Sequence, residues 1–342
     1  MTTPPEFFSP KFHYTFGAHE PMLRVGSGKS LCVVCPDSDN GLSDGSILPD
    51  ERRQSPSGSD LFEGNPVGGP IHVEGIEAGD ALAVDIEAIE LDRRTGQTLL
   101  APGHGLLSSD QLVRPDELFS SDKHCARDPV PQHLYRWAID PGNQTATITN
   151  PLGDDTITVP LRPIVGTLGV CPPWGQNVST LLADVHGGNM DLPVLGAGTT
   201  IILPVFCPGG LLMLGDLHAA QGHGEIIGGG IETSGRVTIT VRGLTNLVAD
   251  VPVILTGNAI YTVATHGDLR TAVSTSYAHL VHWLAAELEL NRWDGYQLLS
   301  QTGSVSIGGM TARGNNTVAA GIPTAVLPAH VRAKIDQLRN RG

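Results

Sequence analysis

Two short clusters of acidic and histidine residues carry the clearest chemical signal in the sequence. The first, from Asp184 to Asp191, reads DVHGGNMD, and the second, from Gly215 to Glu225, reads GDLHAAQGHGE. A hydrophobic stretch interrupted by Gly and Pro, residues 192–214, joins them. This layout predicts two neighbouring strands that carry polar ends to one place. Carboxylate and imidazole groups that meet in a pocket are what a metal-assisted hydrolase needs.

In the second cluster, Asp216 and His218 would point to the same face if the preceding strand continues, because side chains alternate along a strand. A carboxylate and an imidazole at this spacing can hold one divalent metal. The glycines at 222 and 224 allow a sharp turn, which would return Glu225 to the site as a general base. The competing interpretation is a polar loop in which His218 bonds a backbone carbonyl.

In the first cluster, two glycines follow His186 directly and permit unusual backbone dihedral angles there. We predict that His186 joins Asp216 and His218 as a metal ligand. The competing interpretation is a tight Gly-Gly turn held by side-chain hydrogen bonds to its own backbone.

Two further candidates lie outside the clusters. Asp37 follows a strand candidate at residues 31–34 and is predicted to add a catalytic carboxylate, although a solvated turn also fits. His104 lies in a Pro-Gly-His-Gly loop that could gate a pocket, although an ordinary surface histidine also fits. Residues 26–30 end in Gly-Lys-Ser but lack the first glycine of a P-loop, so nucleotide binding there is excluded. The absence of a Gly-x-Ser-x-Gly motif leaves serine catalysis with little support.

Composition narrows the partners and the location. The net charge of −14 makes nucleic acid and anionic membranes poor partners, because binding phosphate needs a basic face. The five cysteines, an odd number in a long chain, predict core thiols rather than a disulfide framework. Without a visible signal peptide or an uninterrupted apolar span, we predict a cytoplasmic protein.

Hydrophobic patterning predicts a mainly β chain. Residues 236–242 alternate most cleanly, and further strands are predicted at 71–75, 81–86, 199–205 and 253–260. Helical periodicity begins only after residue 270, over 272–290 and again over 293–300. The length suggests two domains. We place a β-rich domain with long loops at 1–160 and a motif-bearing β region with C-terminal helices at 161–342.

Several motifs resemble those of the acetamidase/formamidase family, over roughly residues 20–328. The two clusters match, together with Leu203-Pro204-Val205 and Pro208-Gly209 between them. The stretch GPIHVEGIEAGD at 69–80 resembles the family's N-terminal motif, and residues 160–170 resemble its central motif. The helical region at 277–300 is also similar.

The resemblance implies a mainly β fold, a jelly-roll or β-sandwich with a barrel-like part and a small α+β C-terminal portion. It also implies hydrolysis of a short aliphatic amide to carboxylate and ammonia, with a divalent metal. We expect zinc, with calcium as the alternative, and a homo-oligomer. In such an amidase, Asn189 and Gln221 would hold the amide or the oxyanion, and Glu225 would transfer the proton.

The sequence departs from the family pattern at His223, where Asp is more common, at Leu217 and at His104. We therefore predict that His223 and His104 contact the substrate and remodel the pocket. Two alternatives stay open at this point. One is a hydrolase of a larger or cyclic amide, and the other is a non-catalytic β-sandwich that binds a small ligand or a metal.

Overall fold

The protein's structure, a computed structural model, describes residues 3–54, 64–102, 104–106, 131–310 and 315–340. Within these ranges the chain forms short and medium strands and three α-helices near its C-terminal end, with the last two strands between the second and third helices. The strands are β1 Glu6–Phe7, β2 Phe12–His13, β3 Thr15–Phe16, β4 Leu23–Val25, β5 Lys29–Cys35, β6 Arg53–Gln54, β7 Val67–Val73, β8 Ala81–Glu90, β9 Thr95–Leu100, β10 His133–Asp140, β11 Thr145–Ile148, β12 Thr158–Pro160, β13 Ile164–Gly169, β14 Val178–Ser179, β15 Ala183–Asp184, β16 Gly187–Asn189, β17 Thr199–Pro204, β18 Leu212–His218, β19 Glu232–Thr233, β20 Gly235–Leu244, β21 Val253–Leu255, β22 Ala259–His266, β23 Ser304–Met310 and β24 Asn316–Pro323. The helices are α1 Leu269–Ala286, α2 Arg292–Thr302 and α3 Ala329–Asn340.

Most strands belong to two large sheets. Sheet I has the order β1-β5-β20-β8-β17-β21-β22-β24-β23, and sheet II has the order β12-β11-β10-β9-β19-β18-β13-β16-β15. Strand β7 also pairs with β18 and carries β2 and β4 beside it in sheet II. In the described part of the chain neither order closes on itself, so the expected barrel-like part is not a closed barrel.

The two sheets pack face to face around one apolar core. Sheet I contributes Val33, Val84 and Ile239, and sheet II contributes Leu168 and Leu214 to the same buried cluster. Burial of these side chains from water provides the main driving force that holds the sheets together. The arrangement is a β-sandwich, as predicted from the resemblance.

The opposite face of sheet I is covered by helices. Ala83 and Ile202 of this face pack in a second core with Leu280 and Trp283 of α1 and Ile335 of α3. Ala83 and its neighbour Val84 serve different cores because successive side chains of a strand point to opposite faces. The molecule therefore has three layers, and this confirms the predicted mainly β fold with a small helical C-terminal portion.

Local predictions were confirmed in most cases. The strand predicted at 236–242 is the centre of β20, and the helix predicted at 272–290 is α1. The side chain of Asp268 caps α1 by accepting a hydrogen bond from the backbone N–H of Thr271 at 2.8 Å. The prediction of a single strand at 253–260 is wrong, because a turn divides this segment into β21 and β22. The division of the chain at residue 160 stays a prediction, and both sheets contain strands from either side of it.

The prediction that all cysteines are core thiols is wrong for one pair. Cys171 and Cys207 form a disulfide whose Cα atoms lie 6.1 Å apart. Cys32 and Cys35 are free, and Cys125 lies outside the described residues. None of the described helices is long and apolar enough to cross a membrane.

Candidate active site

The site is formed around β18, β13 and β16, three adjacent strands of sheet II. Strand β18 pairs with β13 so that Leu217 lies opposite Val165 and Gly215 lies opposite Thr167. Strand β16 lies on the other side of β13 and pairs Asn189 with Thr167. The structure therefore brings the two clusters to opposite sides of one strand, β13. The prediction that they lie on neighbouring strands is wrong, because β13 lies between β16 and β18.

Five buried residues meet at this place, and we call them the acidic cluster: Asp191, Asp216, His218, Glu225 and Glu232. Ligand atoms of Asp191, Asp216 and His218 lie within 4.8 Å of one another, and so do those of His218, Glu225 and Glu232. The Nε2 atom of His218 lies 3.0 Å from Glu232 Oε1 and 3.3 Å from Asp216 Oδ1. One imidazole therefore stands among four carboxyl groups.

The backbone of the acidic cluster is strained at three positions. Asp191, Asp216 and Glu225 have φ angles of 47°, 59° and 46°, in the left-handed region that residues other than glycine seldom occupy. Such conformations cost about 1–3 kcal/mol each and persist where the surrounding structure enforces them. The concentration of this strain at the cluster is typical of a functional site.

Two glycines, which carry no side chain, leave room for the carboxylates to approach one another closely. A Cβ atom at Gly166 would lie 2.6 Å from Asp191 Oδ1 and 2.8 Å from Asp216 Oδ2. A Cβ atom at Gly309 would lie 3.1 Å from Asp191 Oδ2 and 3.2 Å from Glu225 Oε2. The carboxylates therefore occupy space that only glycine leaves open.

A layer of neutral polar side chains orients the carboxylates from beneath. The Nδ2 atom of Asn65 donates to Asp216 Oδ2 at 2.7 Å, and Thr167 Oγ1 donates to the same oxygen at 3.0 Å. Asn189 Nδ2 donates to Asp191 Oδ2 at 2.8 Å. Hydrogen bonds of this kind fix the direction in which a buried carboxylate presents its free oxygen.

Burial and mutual repulsion dominate the electrostatics of the cluster. Burial, reinforced by Glu225 and Asp216, raises the pKa of Asp191 well above its usual range. Burial also raises the pKa of Glu232, and it raises the pKa of Glu225 to about 8. Burial opposes the charge of His218 as well, yet Glu232 and Asp216 raise the pKa of this imidazole well above its usual range. Despite burial, the positive charge of His218 lowers the pKa of Asp216. The cluster is therefore short of positive charge.

Two carboxylate oxygens of the cluster lack a hydrogen-bond partner. Asp191 Oδ1 and Glu232 Oε2 are both buried and unpaired within the described part of the chain. Buried polar atoms are nearly always satisfied, so two unpaired oxygens indicate room for a further partner such as a water or an ion. Oxygens and an imidazole nitrogen are donors that divalent metals accept. The residues present therefore fit a divalent cation.

A cavity of about 590 Å³ opens on one side of the cluster. Glu225 is the one member of the acidic cluster that lines it, and Gln221, His223 and Gly230 line it too. The side chain of Gln221 links the cluster together, since its Oε1 lies 2.6 Å from His218 Nδ1 and its Nε2 donates to the Asp191 carbonyl at 2.5 Å. The cavity provides a route for a small molecule to reach the carboxyl group of Glu225.

The residues predicted to bind substrate lie at different depths. Gln221 and His223 line the cavity, and the ring nitrogen Nδ1 of His223 accepts from the Ile307 backbone N–H at 3.3 Å. His104 is exposed, with its Nδ1 3.1 Å from the Ile227 carbonyl, a residue that does line the cavity. Asn189 lies under Asp191, as described above. Contact between these side chains and a substrate stays a prediction.

Two predicted site residues lie outside the acidic cluster. His186 is buried against the ring of Phe16, with the ring centroids 5.1 Å apart, and is not among the ligand atoms that lie close together. Asp37 is buried in an ion pair with Arg93 at 2.7 Å and accepts from the Gly41 backbone N–H at 2.5 Å. These contacts hold the turn that follows β5. Metal binding by His186 and catalysis by Asp37 stay predictions.

The sequence assigned no role to two members of the acidic cluster, Asp191 and Glu232, or to Asn65, which contacts the cluster. Asp191 ends the first cluster and was noted there without a role, and its left-handed φ angle is invisible in the sequence. Glu232 follows three consecutive glycines, residues 228–230, a signal parallel to the Gly-Gly pair of the first cluster. Asn65 carries no local signal, because only the pairing of β7 with β18 brings it near Asp216.

Comparison with known proteins relates this chain to one family. The sequence profile of the acetamidase/formamidase family matches residues 175–327, a span that contains the whole acidic cluster. The formamidase of Methylophilus methylotrophus is 30% identical over 260 residues, which are 65% of this chain and 61% of that protein. The acetamidase of Mycolicibacterium smegmatis is 29% identical over 255 residues, 64% of this chain and 62% of that protein. The chain thus spans less than two thirds of the length of these two curated relatives.

A solved structure extends the similarity to almost the full length. The crystal structure of an acetamidase from Yersinia enterocolitica superposes with a TM-score of 0.76 at 30% sequence identity, covering 96% of this chain and 94% of that chain. The predicted amidase class is therefore confirmed at the level of the family. The chain belongs to the acetamidase/formamidase family.

Proposed function

We propose that this protein hydrolyses short linear amides to carboxylate and ammonia, assisted by a divalent cation that the acidic cluster holds. Zinc is the first expectation and calcium the alternative. The observation that carries the proposal is the convergence of four buried carboxyl groups on His218, with two carboxylate oxygens unpaired, beside a cavity. Family membership supplies the reaction class, and the cluster supplies groups suited to it.

Asp191, Asp216 and His218, whose ligand atoms lie within 4.8 Å of one another, are the residues that would hold the cation, with Glu232 beside His218. A bound divalent cation would compensate their clustered charge and polarise the amide carbonyl. Asn65 and Thr167 orient Asp216 for this task, and Gln221 orients His218.

Glu225 is the group that we propose for proton transfer. It is the member of the cluster that lines the cavity, so a substrate or a water can approach its carboxyl group. Burial raises the pKa of this carboxyl group to about 8 in the absence of a cation. A cation bound beside it would lower that pKa and favour the carboxylate, the form that can accept a proton. It would take a proton from the attacking water and deliver one to the departing nitrogen as ammonia forms.

The decisive experiment compares two matched aspartate variants. Asp216→Asn removes the charge of a residue in the acidic cluster, whereas Asp184→Asn changes an exposed aspartate at the start of the first sequence cluster. Ammonia release from acetamide and formamide is measured with Zn²⁺ or Ca²⁺ added and after chelation, alongside the bound metal. We expect Asp216→Asn to lose both metal and activity and Asp184→Asn to keep both. Full activity of Asp216→Asn, or of chelated wild-type protein, would contradict metal assistance.

Assembly and location are separate parts of the proposal. We propose a homo-oligomer in the cytoplasm that takes a small-molecule amide as its partner. Light scattering of the purified protein tests the oligomer, and fractionation of the producing cells tests the location. A monomer at micromolar concentration would contradict the first, and recovery outside the cytoplasmic fraction would contradict the second.

A further inference from the structure

The cavity beside the acidic cluster is much larger than a short amide requires. Its volume is about 590 Å³. An amide of acetamide's size occupies on the order of 100 Å³ if each heavy atom takes roughly the 30 Å³ of a liquid water. The remaining space falls in the size range of pockets that enclose larger organic ligands. Water in this remaining space would contact the apolar walls of the cavity, which is less favourable than contact with an apolar group of a ligand.

These walls are mostly apolar away from the cluster. Trp137 of β10 and Ile148 of β11 lie opposite each other in the register of the two strands, and both line the cavity. Val159 of β12 lines it from the next strand, and Ile227 and Ile231 line it from the segment between Glu225 and β19. One sheet surface and one loop thus form an apolar pocket that continues from the reacting groups.

Trp137 is held in place by hydrogen bonds that lead back to the acidic cluster. Its Nε1 donates to Thr98 Oγ1 at 3.1 Å, and Thr98 Oγ1 donates to the Gly230 carbonyl at 2.6 Å. The Gly230 backbone N–H donates to Glu232 Oε1 at 2.8 Å, the oxygen that also contacts His218. The indole is therefore positioned relative to the reacting groups rather than merely packed against the sheet.

We infer that the natural substrate is a primary amide with a bulky apolar acyl group, such as an arylalkyl amide, and that Trp137, Ile148 and Val159 bind this group. The inference rests on the proposed function. In the reaction, water adds to the acyl carbon, the carbon–nitrogen bond breaks, and the nitrogen leaves as ammonia with the proton of the water. The acyl group occupies the apolar pocket while the carbonyl faces the acidic cluster.

The test compares phenylacetamide with acetamide as substrates of the metal-loaded enzyme. Burying a phenyl ring in an apolar pocket should raise kcat/KM for phenylacetamide about 10- to 100-fold over acetamide. Trp137→Ala should lower this ratio about tenfold, and Val159→Phe, which fills the pocket without removing a wall, should lower it as well. The matched control is Trp293→Ala, which removes a tryptophan that is 71% exposed on α2 and should leave the ratio unchanged.

Binding of the products provides an independent readout. Calorimetry should show that phenylacetate binds the wild-type protein at least tenfold more tightly than acetate, and that Val159→Phe abolishes this difference. If acetamide is hydrolysed without a preference for phenylacetamide, the substrate inference is overturned and the proposed function stands. If no amide is hydrolysed, the proposed function fails, and equal binding of phenylacetate and acetate then overturns the pocket as well. Thermal unfolding of each variant identifies any that do not fold, and the remaining pocket variant then decides.

Discussion

Gly166→Ala tests whether the acidic cluster depends on the close approach of two carboxylates. The new Cβ atom would lie 2.6 Å from Asp191 Oδ1 and 2.8 Å from Asp216 Oδ2, whereas ordinary contact begins at 3.4 Å. The two oxygens must therefore move by about 0.8 Å (3.4 − 2.6) and 0.6 Å (3.4 − 2.8). The φ angle at Gly166 is not in the left-handed region, so an alanine backbone fits there and the effect is steric.

Displacements of this size exceed the roughly 0.2 Å tolerance of metal–ligand distances. We expect Gly166→Ala to weaken binding of the cation about 10- to 100-fold, the range seen when the support of a ligand is disturbed. Amide hydrolysis at limiting metal should fall in parallel. Overpacking of the buried strand should also lower the free energy of unfolding by about 1–3 kcal/mol.

The assay measures metal affinity by competition with a chromophoric chelator, together with ammonia release at several metal concentrations. Gly153→Ala is the matched control, because a Cβ atom at that position would meet nothing within 4 Å. Denaturant unfolding in the presence of chelator separates the loss of stability from the loss of metal. If Gly166→Ala binds metal and turns over amide as the wild type does, the spacing of Asp191 and Asp216 does not control the site.

Three further predictions concern single side chains. His218→Ala should lower bound metal and ammonia release together, and unchanged values of both would show that His218 is not a ligand. Glu225→Gln should reduce turnover about 10²- to 10⁴-fold while the metal stays bound, and near-normal turnover would contradict its role in proton transfer. Burial lowers the pKa of His13 to about 3, so the unfolded chain binds its proton first and stability falls as the pH drops below about 6.5. Between pH 7 and pH 5 the wild type should therefore lose up to about 2 kcal/mol more unfolding free energy than His13→Gln, and equal losses in denaturant unfolding would show that His13 is not responsible.

Elements with a regular local pattern could be predicted from the sequence. The alternation over 236–242 and the helical spacing over 272–290 correspond to β20 and α1, because each pattern records which side chains face a core. The strand at 253–260 was predicted as one element although Thr256, Gly257 and Asn258 interrupt its apolar residues. Asn258 and the residues around it form the turn that divides it, and the helix at Ala329–Asn340 was not predicted at all.

The candidate site was predicted in part. Asp216, His218 and Glu225 were identified because they stand within one motif, and in the structure ligand atoms of Asp216 and of Glu225 each lie within 4.8 Å of those of His218. The roles given to His186 and Asp37 rested on residue type and local position, His186 before two glycines and Asp37 at the end of a strand. The structure places His186 against Phe16 and pairs Asp37 with Arg93.

The sequence by itself determined the family, the mainly β pattern and the residue types from which the site is made, since these are local properties of the chain. Only the tertiary structure decided which of these residues meet. Glu232 and Asn65 reach Asp216 and His218 because β18 pairs with β13 on one edge and with β7 and β19 on the other, contacts between segments far apart in the chain. Burial then decided the charge of the cluster, because removing four carboxyl groups from water raises the free energy of their ionised forms, an effect that no local sequence pattern records.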